Sequence, residues 1–178
     1  MLLLARLASL LVFVIITGCG FQLRDTTMVA DLGQMYVQDE VDMHQINDRP
    51  VSTRLASDLA TITEQEVLNI PKAGSMGIVI TREEVIENSY SLTTSLLNRQ
   101  VEVEKEVDFQ IIDETGQIMF STSFTASQLL TTSHSNPRAR QQEKQRIIDY
   151  LNANLSRRVV YKLDSLLREN QPREVAVQ

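Results

Sequence analysis

The stretch that decides the fold reads Val101-Glu102-Val103-Glu104-Lys105-Glu106-Val107-Asp108-Phe109-Gln110-Ile111, because apolar and polar side chains alternate along it. Val101, Val103, Val107, Phe109 and Ile111 fall on one side, and Glu102, Glu104, Glu106, Asp108 and Gln110 fall on the other. A period of two is typical of a strand that packs one face on a core and keeps the other face in water. The stretch therefore predicts a β-sheet with one covered face, and the acidic face is expected to be solvated.

The sequence that follows this strand predicts a hairpin. Asp113-Glu114-Thr115-Gly116 forms a turn in which Gly116 can adopt a positive φ. Alternation then resumes, with Ile118, Phe120, Thr122, Phe124 and Ala126 on one side and Gln117, Ser121, Ser123, Thr125 and Ser127 on the other. We expect this second stretch to be the return strand.

Two more strands are predicted before the central stretch. Residues 32–37 are typical of a short strand, and the β-branched run that begins at Ile78 predicts a longer one that continues toward Tyr90. Residues 91–100 are polar and rich in Ser and Thr, so they are expected to connect this strand to the central one.

Two helices complete the chain. Val51, Leu55, Leu59 and Ile62 recur at helical spacing, which predicts a helix over residues 49–63 with Asp48 as its cap and Pro50 in its first turn. The last helix begins at Asn136-Pro137 and ends before Pro172. Its apolar residues recur at steps of three and four: Ile147, Ile148, Leu151, Leu155, Val159, Leu163, Leu166 and Leu167.

The order of these elements is strand, helix, strand, strand, strand, helix. Three consecutive strands favour an antiparallel meander, and the helical crossover places the first strand beside one of them. The sequence therefore predicts an α+β fold, namely a two-layer domain in which two helices pack on one face of a four-stranded mixed sheet.

The start of the chain has the features of an export signal. A charge at Arg6 precedes the apolar run Leu7–Ile16, which is too short to cross a bilayer, and Ile16-Thr17-Gly18-Cys19 resembles a bacterial lipobox. We expect cleavage before Cys19, the only cysteine, followed by its S-diacylglycerol and N-acyl modification. The alternative is an ordinary secretory signal in which Cys19 is incidental.

The chain is therefore divided into four parts. Residues 1–18 are expected to be the signal peptide, 19–31 a lipidated tether, 32–170 a single folded domain and 171–178 a short tail.

Charge is unevenly distributed along the sequence. Residues 19–136 contain seven basic and 18 acidic residues, whereas residues 137–170 contain eight basic and four acidic residues. A basic helix on an acidic domain can bind an anionic partner, although its charges can also serve only to keep it soluble.

Residues suited to catalysis or metal binding are scarce. His44 and His134 lie in polar stretches without the spacing of a zinc site, and Ser133-His134-Ser135 lacks a nucleophile elbow. The acidic composition, without tryptophan, disfavours nucleic acid as a partner. We expect no enzyme activity, no metal and no cofactor other than the lipid on Cys19.

The string Gly18-Cys19-Gly20-Phe21-Gln22-Leu23-Arg24 resembles the mature start of the LptE family of lipopolysaccharide-assembly lipoproteins. The order of elements and the Asn136-Pro137 helix start are also similar to that family, whereas Phe21 and Gln22 stand where Trp and His are frequent. The resemblance implies a lipoprotein on the periplasmic side of the outer membrane. It also implies a plug in an LptD-like β-barrel, which assists barrel assembly and helps to place lipopolysaccharide in the outer leaflet.

The resemblance and the charge pattern together suggest where lipopolysaccharide binds. Arg138, Arg140, Lys144 and Arg146 crowd the start of the last helix, where unpaired backbone N–H groups also favour anions. The resemblance implies that lipid contacts basic residues at this helix start and in the loop between the second and third strands. Arg140 matches the first position, and Arg99 is the basic residue available for the second.

Two other functions remain open from the sequence. The protein can be a free-standing outer-membrane lipoprotein that acts as a scaffold or chaperone for another envelope component. An anchored hydrolase would require a catalytic group that the residues do not supply.

Overall fold

The computed structural model describes residues 32–41, 50–90, 98–133 and 137–170, together with Val29. Its elements are β1 (Met35–Asp39), α1 (Val51–Thr63), β2 (Met76–Tyr90), β3 (Asn98–Ile112), β4 (Ile118–Ser133) and α2 (Pro137–Asn170). The predicted order of strands and helices is confirmed.

The four strands form one mixed sheet in the order β1-β2-β3-β4. β1 is parallel to β2, because α1 carries the chain back across the sheet between them. β2, β3 and β4 form an antiparallel meander. The turn between β3 and β4 contains Gly116 at a φ of 87°, as the sequence predicts.

A main core cluster lies between the two helices and one face of the sheet. α1 contributes Val51, Leu55 and Leu59, and the covered face of β3 contributes Val107, Phe109 and Ile111. Val29, placed in the tether by the sequence, is fully buried in this cluster. The folded domain therefore includes at least this residue before Leu32.

A smaller distal cluster lies under the first turns of α2. It consists of Val101 and Val103 of β3, Leu130 of β4, and Ile147, Ile148 and Leu151 of α2. Each fully buried aliphatic side chain contributes about 1.5–3 kcal/mol relative to an exposed one. The distal cluster therefore attaches the N-terminal half of α2 to the far end of the sheet.

The strands extend beyond the predicted ends. β3 begins at Asn98 and pairs there with Ser133 of β4, so Arg99 lies in a strand opposite Thr132 and its assignment to a loop is wrong. Polar residues at a strand end carry little periodicity of their own. Pairing of Asn98 and Arg99 with β4, which satisfies backbone groups, decides their conformation.

The start of α1 also differs from the prediction. The helix begins at Val51, and Pro50 is the N-cap in an extended conformation, so it does not lie in the first turn. Asp48, the predicted cap, lies outside the described residues. The Val51 N–H instead donates to the Glu83 carboxylate of β2, at 3.1 Å to Oε2.

Candidate functional site

The basic residues predicted to bind lipopolysaccharide lie on the first three turns of α2. Arg138, Arg140 and Arg146 are exposed, and Lys144 is partly buried. The distal cluster holds Ile147 and Ile148 against the sheet immediately after this segment. The helix start is thereby fixed at the end of the sheet where β2 ends and β3 begins.

One carboxylate of β2 lies among these cations. Glu87 forms ion pairs with Lys144 Nζ at 2.8 Å and with Arg140 at 3.6 Å. Arg146 pairs with Glu143 on its own helix at 3.4 Å. Within the described part of the chain, Arg138 pairs with neither carboxylate.

We name Arg138, Arg140, Lys144, Arg146, Glu87 and Glu143 the basic cluster. Four cations face two carboxylates, so the cluster keeps a positive balance on an otherwise acidic protein. The Arg146–Glu143 pair is exposed, and such pairs contribute only about 0–1 kcal/mol, so an anionic ligand can replace it, whereas Lys144 and Glu87 are partly buried. The cluster therefore has the charge and the exposure to bind an anionic headgroup.

Sequence reasoning missed Glu87. Glu87 pairs with Val103 of the distal cluster, and this register between β2 and β3 places Glu87 beside the basic cluster. The sequence of β2 alone does not specify that register.

Some residues singled out in the sequence lie wholly or partly outside the described residues. The side chain of Arg99 lies outside the described residues, so its role in binding lipid stays a prediction. Cys19, His44 and His134 also lie outside them.

A buried ion pair lies between the main core cluster and the distal cluster. Lys105 of β3 and Glu83 of β2 both have fully buried side chains, and Lys105 Nζ lies 2.5 Å from Glu83 Oε1. Lys105 also donates to Asn152 Oδ1 of α2 at 2.6 Å. The pair joins two strands and α2, and the Val51 N–H bond to Glu83 extends it to α1.

Sequence reasoning left Lys105 without a role, although it stands at a covered position of the alternating stretch. A charged residue at an apolar position is the signal that could have revealed it, because a buried charge requires a partner. Its partners Glu83 and Asn152 are distant in sequence, so the partners themselves could not be predicted.

The uncovered sheet face is acidic and solvated, as predicted. Its carboxylates bond to serines of β4: Ser123 donates to Asp108 at 2.5 Å and Ser127 to Glu102 at 2.7 Å. Arg82 of β2 lies within 4 Å of Glu84, Glu106 and Asp108, and these carboxylates raise its pKa. The acidic face therefore repels phosphate, whereas the basic cluster attracts it.

The described residues lack two features that other functions would require. They contain no group of three or more His, Cys, Asp or Glu side chains placed to hold a metal ion. They also contain no helix long and apolar enough to cross a membrane.

Comparison with solved structures gives several with the same architecture. Lipoprotein B from Nitrosomonas europaea matches with a TM-score of 0.65 and 15% identity over 84% of this chain and 93% of its own. Rare lipoprotein B from Shewanella oneidensis matches with a TM-score of 0.60 and 11% identity, over 77% of this chain and 98% of its own. This chain shares the fold of these lipoproteins.

A minor lipoprotein from Acinetobacter baumannii also matches, with a TM-score of 0.57 and 11% identity over 74% of this chain and 90% of its own. The chain therefore spans nearly the whole of each of these domains. No family model and no curated protein sequence matches. The predicted resemblance to a lipoprotein family is confirmed for the fold.

Proposed function

We propose that this protein is a non-enzymatic outer-membrane lipoprotein that binds lipopolysaccharide and plugs an LptD-like β-barrel, whose assembly it assists. The fold shared with lipoproteins supports the general role. The lipobox at Cys19 supports a lipid anchor on the periplasmic side. The basic cluster is the single observation that carries the lipid-binding part of the proposal.

The chemistry of lipid A fits the basic cluster. Lipid A carries phosphates, and guanidinium groups bind phosphate with paired charge-assisted hydrogen bonds. The N-terminal N–H groups of a helix and its dipole add to the attraction. Arg138 and Arg140 lie in the first turn of α2, where both effects act together.

The test replaces Arg138 and Arg140 with Glu in the full-length acylated protein and measures binding of purified lipopolysaccharide across a salt series. We expect affinity to fall roughly tenfold or more, because a loss of about 1.4 kcal/mol already gives that factor. The wild-type protein should also bind more weakly as salt rises, since salt screens exposed charges.

A matched control changes the net charge equally at another place. Lys72 and Arg157 are exposed, and replacing both with Glu should leave lipid affinity within about twofold, since neither lies in the cluster. Equal losses in the two double variants would show a general charge effect and contradict the assignment of the site. An unchanged affinity after the Arg138→Glu and Arg140→Glu changes would contradict it too.

A further inference from the structure

The outer edge of β4 is long and carries no charge. The strand runs for 16 residues, Ile118–Ser133, and lies at the end of the described sheet beside β3. Its sequence contains no Asp, Glu, Lys, Arg, Gly or Pro. Proteins usually protect an edge strand with charges, proline, a bulge or a short length. The register of β4 is irregular only near its start, opposite Ile111 and Ile112, and from Phe120 to Ser133 the described strand has none of these features.

The opposite edge of the sheet is closed by the chain itself. β1 has only five residues, and Leu68 of the segment after α1 pairs with it. The Val37 N–H donates to the Leu68 carbonyl at 2.8 Å, and the Leu68 N–H donates to the Met35 carbonyl at 2.9 Å. The two edges therefore differ, since no described residue pairs with the outer side of β4.

The structure identifies the backbone groups that face outward from β4. The Arg158 guanidinium of α2 donates to the Thr125 carbonyl at 2.7 Å, and we infer from this contact that the carbonyl faces the outer edge. In an antiparallel ladder, residues two apart share a side, so Ser121, Ser123 and Ser127 also present their N–H and C=O groups outward. Within the described residues, Arg158 is the one side chain that hydrogen-bonds this edge.

Two cations lie along the helix-covered side of the same edge. The Arg158 guanidinium lies 4.4 Å from the centre of the Phe124 ring, and Lys162 Nζ lies 4.2 Å from the centre of the Phe120 ring. A strand added beside β4 would place alternate side chains next to these cations. Carboxylates at those positions would complement them, whereas a second copy of β4 would bring two pairs of cations together.

We propose that the β4 edge binds an extended segment of a partner protein by strand addition. The segment carries acidic residues four apart, opposite Phe120 and Phe124, where they meet Lys162 and Arg158. Backbone hydrogen bonds supply affinity, and the two ion pairs supply selectivity. This inference goes beyond the proposed function, since it uses neither lipid nor the basic cluster.

The experiment uses the full-length acylated protein in detergent and a fluorescent synthetic peptide. The peptide alternates Thr and Val and carries Glu at two positions four apart, and a second peptide carries Lys at the same two positions. We expect the acidic peptide to bind at least roughly tenfold more tightly than the basic peptide, a factor that corresponds to about 1.4 kcal/mol. Its binding should also slow amide exchange along β4.

Variants at the edge test the mode of binding. Ser121→Pro removes an outward N–H and leaves the hydrogen bonds to β3 in place, so it should strongly weaken binding of the acidic peptide. Ser121→Ala keeps that N–H and should bind the acidic peptide as the wild-type protein does. Arg158→Glu leaves the edge backbone intact and should remove most of the preference for the acidic peptide, because the new carboxylate offsets Lys162. This variant keeps the test decisive if Ser121→Pro does not fold.

Three results from the peptide measurements would overturn the proposal. These are equal affinity for the two peptides, unchanged binding by folded Ser121→Pro, and a preference that Arg158→Glu does not alter. A dimer of the free protein that Ser121→Pro dissociates would also contradict it, because the occupant would then be a second copy.

Discussion

Lys105 shows at the residue scale how one side chain organises the interior. Its ammonium lies between the two core clusters and contacts Glu83 and Asn152. Replacing one member of a buried ion pair leaves the other charge without compensation, which costs about 3–5 kcal/mol. We predict that Lys105→Met lowers the free energy of unfolding by this amount in urea denaturation.

Two variants make the prediction for Lys105 specific. Arg82→Met removes an exposed cation on the other face of the sheet and should lower stability far less than Lys105→Met, because solvent screens the charge of Arg82. Glu83→Gln combined with Lys105→Met should recover part of the loss, since no unpaired charge remains. A loss for Lys105→Met no greater than that for Arg82→Met would contradict the role of the buried pair.

Gly77 is a second residue whose identity is constrained by packing in the core. A Cβ atom at this position would lie 1.9 Å from the Tyr36 ring, which packs over the glycine from β1 and is itself only 5% exposed. We predict that Gly77→Ala destabilises the protein by about 1–3 kcal/mol, as overpacked cores do. Gly33→Ala is the matched control, because nothing lies within 4 Å of a Cβ there. Equal thermal midpoints for both variants would show that Tyr36 moves freely.

At the scale of the element, the β3–β4 turn gives a prediction about pH. The hydroxyl of Thr115 and the N–H of Gln117 both donate to the Asp113 carboxylate, and these bonds lower its pKa. A lowered pKa means that the ionised group stabilises the fold above its unfolded value of about 3.9. That contribution is lost as the pH falls through the lower folded value.

We therefore predict that Asp113→Asn lowers the urea midpoint at neutral pH, and that the difference from wild type shrinks as the pH falls below about 4. Glu114→Gln changes an exposed neighbour and should not reproduce this pattern. A difference that stays constant down to about pH 2 would contradict the account of the turn.

The elements also show what the sequence could and could not predict. The period of two along β3, and the spacing of Val51, Leu55 and Leu59, predicted a strand and a helix, because local periodicity reports which face is buried. The cap of α1 could not be predicted, since Glu83 lies 32 residues from Val51. The place of Arg99 in β3 depends likewise on pairing between strands.

At the scale of the whole molecule, the fold separates opposite charges. The acidic face of the sheet and the basic cluster at the start of α2 lie on different surfaces, and α2 packs on the other face of the sheet. The uneven charge along the sequence predicted that a basic helix would lie on an acidic domain. It could not predict that Glu87 would neutralise part of the cluster, since Glu87 lies on β2.

The lipid anchor and the basic cluster have separate roles in the proposed function. Cys19 would hold the protein at the membrane, while the folded domain would present the basic cluster to lipid and its other surfaces to the barrel. The Arg138→Glu and Arg140→Glu variant should therefore still assemble with the barrel although it binds lipid less well. A double variant that loses both properties would show that the cluster contacts the barrel.

The most direct measurement is purification of the acylated protein, at native expression, from detergent-solubilised outer membranes. The account predicts that a much larger β-barrel protein, whose electrophoretic mobility changes on heating, co-purifies with it in a fixed ratio. Recovery of this protein alone, as a stable species of its own size, would contradict the plug and favour a free-standing lipoprotein.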